Sequence, residues 1–302
     1  MDFLTIVLII FGLVLFETIS SIDNAIINAE VLSGMDSKSR KWFLSWGLLI
    51  AVFLLRGGLP WVIVWAVNPS LGPIGAFTAA FSGNPGVAQA VEGSAPILLS
   101  GGGIFLVFLF FYWLFLEQKH YGLIGERFFH RQGVWFYAVV SLILSVVVWF
   151  ALKGNPLMAF GAVIGSTAFF IVHGFRENAE ANEQKLLSGT SSVISKLLYL
   201  EVIDATFSID GVVGAFAFTL SVPLILIGNG IGAIVVRQLT VSNIERVKKY
   251  IFLKNGAMYS ILVLGTIMLL DSFGFHIPSW LSPVATALIV GYFFFKSRKA
   301  LV

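Results

Sequence analysis

Residues 3–31 read FLTIVLIIFGLVLFETISSIDNAIINAEV, an apolar run that carries Glu17 and Asp23 well inside it and Glu30 at its end. Crossing roughly 30 Å of hydrocarbon takes about 20 helical residues, so the run is long enough to span a bilayer. The rest of the chain agrees. Of 302 residues, 58% are apolar and 12% charged, and the mean hydropathy is +0.92, outside the range of an ordinary soluble domain. Further apolar runs fall at 42–66, 97–116, 134–152, 156–175, 197–220, 223–239, 250–270 and 278–295. The expected fold is therefore all-α, a polytopic membrane protein of about nine transmembrane helices forming one transporter-like domain over 1–302. The start, Met1-Asp2-Phe3, has neither a basic n-region nor a small-residue cleavage site, which predicts a retained first helix.

Orientation follows from the basic residues. Lys38, Arg40 and Lys41 follow the first run, and Lys119, Arg127 and Arg131 the third. Arg176, Lys185 and Lys196 follow the fifth, Arg246, Lys248, Lys249 and Lys254 the seventh, and Lys296, Arg298 and Lys299 the ninth. The opposite connections hold only Lys153. By the positive-inside rule the N-terminus is expected outside and the C-terminus in the cytoplasm of a plasma (inner) membrane protein. The net charge of +3 is thus used in setting topology, and no nucleic-acid partner is expected. The connection 68–96 lacks Lys and Arg and is rich in Pro and Gly; with Phe77 and Phe81 it reads as a lid dipping into the outer interface or as an ordinary loop. After the fifth run, HGFRENAEANEQK reads as a helical extension with His173, Glu177 and Glu180 on one face and Glu183 nearby, a solvated charged face rather than a second metal site. The Trp residues near span ends, among them Trp42, Trp61, Trp65, Trp135 and Trp280, read as an interfacial belt.

An ionisable group near the bilayer centre costs about 3 kcal/mol on insertion scales. Five acids fall in that position. The first run holds Glu17 and Asp23 within ETISSIDN, and the sixth holds Glu201, Asp204 and Asp210 within EVIDATFSIDG. Arg56 and Arg237 lie inside the runs that follow, and two bases against five acids leave a deficit that a divalent cation, with a proton, would nearly neutralise. At 100° per residue Glu17 faces the same way as Asn24, and Glu201 the same way as Asp204 and Ser208, whereas Asp23 and Asp210 are turned away. Bringing them inward predicts a break or distortion at 21–25 and at 208–212, where Gly211 would permit one. Ser21-Ile22-Asp23 overlies Ser208-Ile209-Asp210, and Glu17 overlies Asp204. The two helices run in opposite directions, so the pair predicts an inverted repeat, with repeat one at about 3–116, linking helices at about 134–175 and repeat two at about 197–295.

Carboxylates, Asn carbonyls and hydroxyls are hard oxygen ligands that suit Mn²⁺, Mg²⁺ or Ca²⁺. There is no cysteine, which removes thiolate sites and disulfides. His120, His130, His173 and His276 all lie outside the acidic motifs and read as surface or interfacial. Arg56 and Arg237 read as counter-charges that steady the acids when a cation leaves. Glu30, Glu92 and Asp271, at span ends or in loops, read as solvated.

The two motifs, ETISSIDN and EVIDATFSIDG, each with an Arg in the following helix, resemble those of the TerC family of integral membrane proteins, placed among transporters related to the lysine exporters. That resemblance covers most of the membrane domain. It implies Mn²⁺ export, supply of metal to proteins outside the cytoplasm, an association with tellurite resistance, and a metal site carried by Glu17, Asp23, Asn24, Glu201, Asp204 and Asp210. The chain differs from the common pattern in Gly211, where Ser or Asn usually follows the last Asp, in its long outer connection and in having no appended soluble domain. It thus looks like a divergent branch.

The expected function is a secondary transporter that exports a divalent cation, manganese above magnesium or calcium, with proton coupling, and not an enzyme. The rival readings are an intramembrane metal-dependent enzyme acting on a lipid or oxyanion, for which the motifs supply no evident nucleophile or dedicated base, and a partner that delivers metal to the secretion machinery or to metalloprotein clients.

Overall fold

The computed structural model describes residues 2–47, 49–79, 85–188, 193–242 and 244–301. All regular structure among them is helical. The helices are α1 (Phe3–Ser20), α2 (Ile22–Ser33), α3 (Ser37–Trp42), α4 (Gly58–Val67), α5 (Gly72–Ala79), α6 (Pro85–Phe115) and α7 (Glu126–Arg131). They continue with α8 (Phe136–Gly154), α9 (Pro156–Ser188), α10 (Val193–Ala215), α11 (Val222–Ser242), α12 (Ile244–Val247), α13 (Leu253–Ser272) and α14 (Leu281–Ala300). Between α3 and α4 the chain winds as π-helix over Phe43–Gly47 and Ile50–Gly57.

Six of the described helical segments are long and apolar enough to cross a membrane: Phe3–Ser20, Gly93–Phe115, Gly133–Gly154, Pro156–Asn178, Val222–Val241 and Leu253–Ser272. The protein is a polytopic helical membrane protein. The run 42–66 is divided between α3, the π-helical segments and α4, and 197–220 is interrupted by the charges of α10. The run 278–295 is carried by α14, which ends in Lys296, Arg298 and Lys299. Exposed Val, Ile, Leu and Phe side chains cover the outside of α8 and α9, for example Leu142, Phe150, Phe160 and Ile171, as a lipid-facing surface requires. Trp42, Trp65, Trp135 and Trp280 are exposed as an interfacial belt demands, whereas Trp113 is fully buried.

Helix α6 is the central column, packed along α9 and α13, while α13 also packs on α14 and α1 lies along α11. Its core is Ile104, Leu106, Phe108 and Trp113 against Phe169, Ile261 and Leu264. Without a hydrophobic driving force in lipid, helices hold together by close contact, and small residues permit it. A Cβ on Gly101 would stand 2.8 Å from the Gly161 carbonyl oxygen, and one on Gly228 would stand 2.5 Å from the Leu13 Cβ. Glycine therefore sets the α6–α9 and α1–α11 spacings.

Three expectations change. The connection 68–96 is not one long loop, for α5 occupies part of it and α6 begins at Pro85, with Pro96 inside the helix; residues 80–84 and the side chains of Phe77, Phe81 and Glu92 lie outside the described residues. The distortion at 21–25 is a bend at Ser21 alone, whose N–H still donates to the Glu17 carbonyl at 3.2 Å and whose carbonyl still accepts from Ala25 at 2.9 Å. The hydroxyls of Thr18 and Ser20 bond back to the carbonyls of Val14 and Phe16 at 2.7 and 2.8 Å, which bends helices. The break at 208–212 is absent: α10 is continuous through it and ends at Ala215, and Gly211 has no positive φ. Irregular winding falls instead in the π-helical Ile50–Gly57. Helix α9 continues to Ser188, so the extension of the fifth run is helical as expected; the side chains of Glu180 and Glu183 lie outside the described residues.

Candidate functional site

The two acidic motifs meet. The bend at Ser21 turns α2 so that the Asn24 side-chain amide donates to Oδ1 of Asp204 on α10. Two turns before Asn24, Glu17, fully buried, accepts from Ser21 Oγ at 3.0 Å and from Arg56 Nε at 3.0 Å. Arg56 is itself 2% exposed and sits on the last turn of the π-helical segment, so the wide winding is what aims the guanidinium at α1. Arg237 on α11 stacks its guanidinium 4.3 Å from the centre of the Phe43 ring. Asn28, Arg56, Asp204, Arg237 and Thr240 line one small cleft.

Glycine gives the carboxylates their room. A Cβ on Gly211 would collide with Glu17 Oε2, one on Gly232 would stand 2.6 Å from the Glu17 Cβ, and one on Gly47 would collide with Glu201 Oε1. Gly211 is thus needed for space and not for backbone freedom. Around this centre several buried oxygens have no hydrogen-bond partner: Oε2 of Glu17, both carboxylate oxygens of Glu201, and the side-chain carbonyl oxygens of Asn24, Asn28 and Asn229. All of them are acceptors. An unpaired buried acceptor costs about 1–3 kcal/mol, and the unpartnered donor at this centre, Arg237 Nη1, can serve few of these six oxygens, so they call for a further donor or a cation.

Asp23 and Asp210 stand apart from that centre, as their rotation on the helices predicts, and both line a second cavity of about 280 Å³ with Ser20, Glu117, His173 and Glu177. Lys254 Nζ lies 2.6 Å from Asp23 Oδ2 and also contacts Glu117 Oε1. Arg176 Nη2 lies 2.5 Å from Asp210 Oδ2, leaving Asp210 Oδ1 buried and unpartnered. His173 stacks on Phe169, with ring centres 5.6 Å apart, and packs tilted against Tyr112 at 3.7 Å, and its Nε2 is 3.2 Å from Glu177. It is therefore a cavity wall rather than an interfacial residue, while His120 and His276 are exposed.

Residues 22–300 match the family model DUF475, described as a protein of unknown function. The chain belongs to the DUF475 family. No curated protein and no solved structure matches it. The DUF475 match takes in Asp23, Asn24, Arg56, Glu201, Asp204, Asp210 and Arg237, and begins after Glu17.

Within this DUF475 chain the expected site residues divide into a buried centre (Glu17, Asn24, Arg56, Glu201, Asp204, Arg237) and a cavity (Asp23, Asp210). They do not surround a single point. Among the described residues no three His, Asp or Glu side chains are close enough together to hold one ion in this arrangement. Sequence reasoning missed Glu117, Arg176 and Lys254. The last two were counted with the basic residues that set topology, although the deficit left by two bases and five acids was a signal that more cations had to reach the site. With them and Glu177, which lines the same cavity, seven acids and four bases remain, a formal charge of −3. Glu30 is exposed beside Lys248 at 3.1 Å, as a solvated span end should be, and its carboxylate holds the Lys248 ammonium above the usual lysine pKa.

Proposed function

We propose that the protein is a secondary transporter that carries a divalent cation, manganese, out of the cytoplasm, through the buried centre and the adjoining cavity. The observation that carries this reading is the set of buried oxygens without donors: Oε2 of Glu17, both carboxylate oxygens of Glu201 and the side-chain carbonyls of Asn24, Asn28 and Asn229. Hard oxygen donors suit Mn²⁺, Mg²⁺ or Ca²⁺, and the motif resemblance to TerC exporters selects manganese among them. Glu17, Asp23, Asn24, Glu201, Asp204 and Asp210 are the ligands in this reading, used in two successive places. Arg56 and Arg237 are counter-charges that take over the carboxylates once the ion has moved on, and protons entering the acids drive release.

The architecture belonging to this proposal has nine membrane helices related by an inverted repeat, with the N-terminus outside and the C-terminus in the cytoplasm of the plasma membrane. The pairing of Asn24 with Asp204 supports it, since it brings the two motifs into contact. Uptake of radioactive manganese by proteoliposomes, with Mg²⁺, Ca²⁺ and Zn²⁺ as competitors, tests the function. Manganese flux that Asp204→Asn abolishes is the expected result; no flux of any divalent cation overturns the reading.

A further inference from the structure

The cavity beside α13 holds a cation already, supplied by the chain. Lys254 projects its ammonium between Asp23, at 2.6 Å, and Glu117. It stands in the first turn of α13, where the positive end of the helix dipole disfavours a base, so the two carboxylates and not the helix account for its position. These three side chains are each about 30% exposed, while Arg176 and Asp210 opposite are 12% and 9% exposed. A guanidinium presents a rigid planar fork, whereas an ammonium is a compact point charge on a flexible stem. Arg176 therefore clamps one Asp210 oxygen, and Lys254 is the member able to withdraw. Asp210 lines the same cavity, and its other oxygen is buried without a partner. At about 30 Å³ per water, the cavity's 280 Å³ has room for an ion that keeps most of its hydration shell.

We propose that Asp23, Glu117 and Asp210 form a vestibule site for a hydrated divalent cation, reached largely through its water shell rather than by three carboxylates in direct contact, and that the Lys254 ammonium is a tethered competitor which must leave the Asp23–Glu117 pair for the ion to occupy it. This rests on the proposed cation transport and adds Glu117 and Lys254 to it. The vestibule carries the carboxylates of Asp23, Glu117, Glu177 and Asp210 against Lys254 and Arg176, so a divalent ion balances these six groups while the ammonium swings into the water of the same cavity. A competitor that weakens binding also speeds dissociation, which is useful to a carrier that must release what it takes up.

The test is Mn²⁺ binding to the purified full chain in detergent, followed by the loss of the free-ion electron paramagnetic resonance signal. Lys254→Met should tighten one Mn²⁺ site about tenfold, and Lys254→Arg should stay near wild type. Glu117→Gln, which leaves Lys254 paired with Asp23 and is the gentler change for folding, should weaken the same site about tenfold. Unchanged Mn²⁺ affinity in both Lys254→Met and Glu117→Gln, with elution profile and melting behaviour like wild type, overturns the vestibule. If those two variants are silent while Asp204→Asn removes binding, the vestibule alone fails; if the wild-type chain and Lys254→Met bind no Mn²⁺, the transport reading fails with it.

Discussion

The Asn24 side-chain amide donates to Oδ1 of Asp204, joining two motifs 180 residues apart in the chain. Both side chains are buried, 1% and 6% exposed, so the bond fixes how α2 sits against α10. It is also a bond that a metal ligand set would have to exchange, because the same carboxylate oxygen serves both.

Asn24→Ala removes the donor and leaves a buried carboxylate oxygen unpaired. A loss of about 1–3 kcal/mol of stability is expected, seen as a lower melting temperature in detergent, together with lost manganese tolerance in cells that depend on this protein.

Asp210→Asn takes the charged partner from one side of the buried Arg176–Asp210 pair, and breaking a buried pair from one side costs about 3–5 kcal/mol. Asp23→Asn leaves Lys254 with Glu117 and sits in a wetter place, so its effect on melting should stay below about 1 kcal/mol. Both should abolish manganese tolerance. The contrast between equal loss of transport and unequal loss of stability is what the pair of measurements checks.

Gly211→Ala puts a methyl group where Glu17 Oε2 lies. Overpacking of this kind costs about 1–3 kcal/mol and should displace Glu17 from Arg56. Gly174→Ala, which meets nothing within 4 Å, should be neutral or stabilising by up to about 1 kcal/mol. Melting of the two variants beside wild type decides it.

Lys119, beyond the end of α6, donates to the carbonyls of Trp113 and Leu114. Burial depresses its pKa to about 8, with Glu126 and Glu117 opposing the shift. A base whose folded pKa lies below its unfolded one binds fewer protons when folded, so stability should rise as pH increases from about 8 toward 10.5. Lys119→Met should flatten that rise in pH-dependent melting curves, and an unchanged slope would remove Lys119 as its source.

Much of the site was legible because charge inside an apolar run is conspicuous: Glu17, Asp23, Glu201, Asp204, Asp210, Arg56 and Arg237 were all identified from depth alone, and all of them are at least partly withdrawn from solvent. What could not be read was partnership. Arg176 and Lys254 stand at the ends of apolar runs among basic residues that set topology, and only the three-dimensional path of α9 and α13 turns them inward. Gly211 was read as a hinge because glycine has two uses, backbone freedom and absent volume, and spacing along one chain does not tell them apart. The run 68–96 looked like a loop from its Pro and Gly, yet Pro85 is the first residue of α6, a place where proline's missing N–H does no harm.

The natural absence of cysteine gives topology a direct test. Single cysteines at Gln132 and Asn155 flank α8, and a membrane-impermeant thiol reagent should label only Asn155→Cys from the outside of intact cells. Labelling of Gln132→Cys instead would invert the assigned orientation.

The π-helical winding of Ile50–Gly57 makes its own demand on the molecule. Bonding to the fifth residue instead of the fourth accommodates an extra residue in the coil, and sliding one residue out of it rotates everything beyond by about 100°. Arg56 is the last residue but one of that stretch, so a local rewinding, with α1 and α11 stationary on their glycine contacts, would swing the guanidinium away from Glu17 like the click of a ratchet. The charge on Glu17 would in this way be uncovered by a rotation of the following segment about its own axis, with the helix that carries the carboxylate left in place.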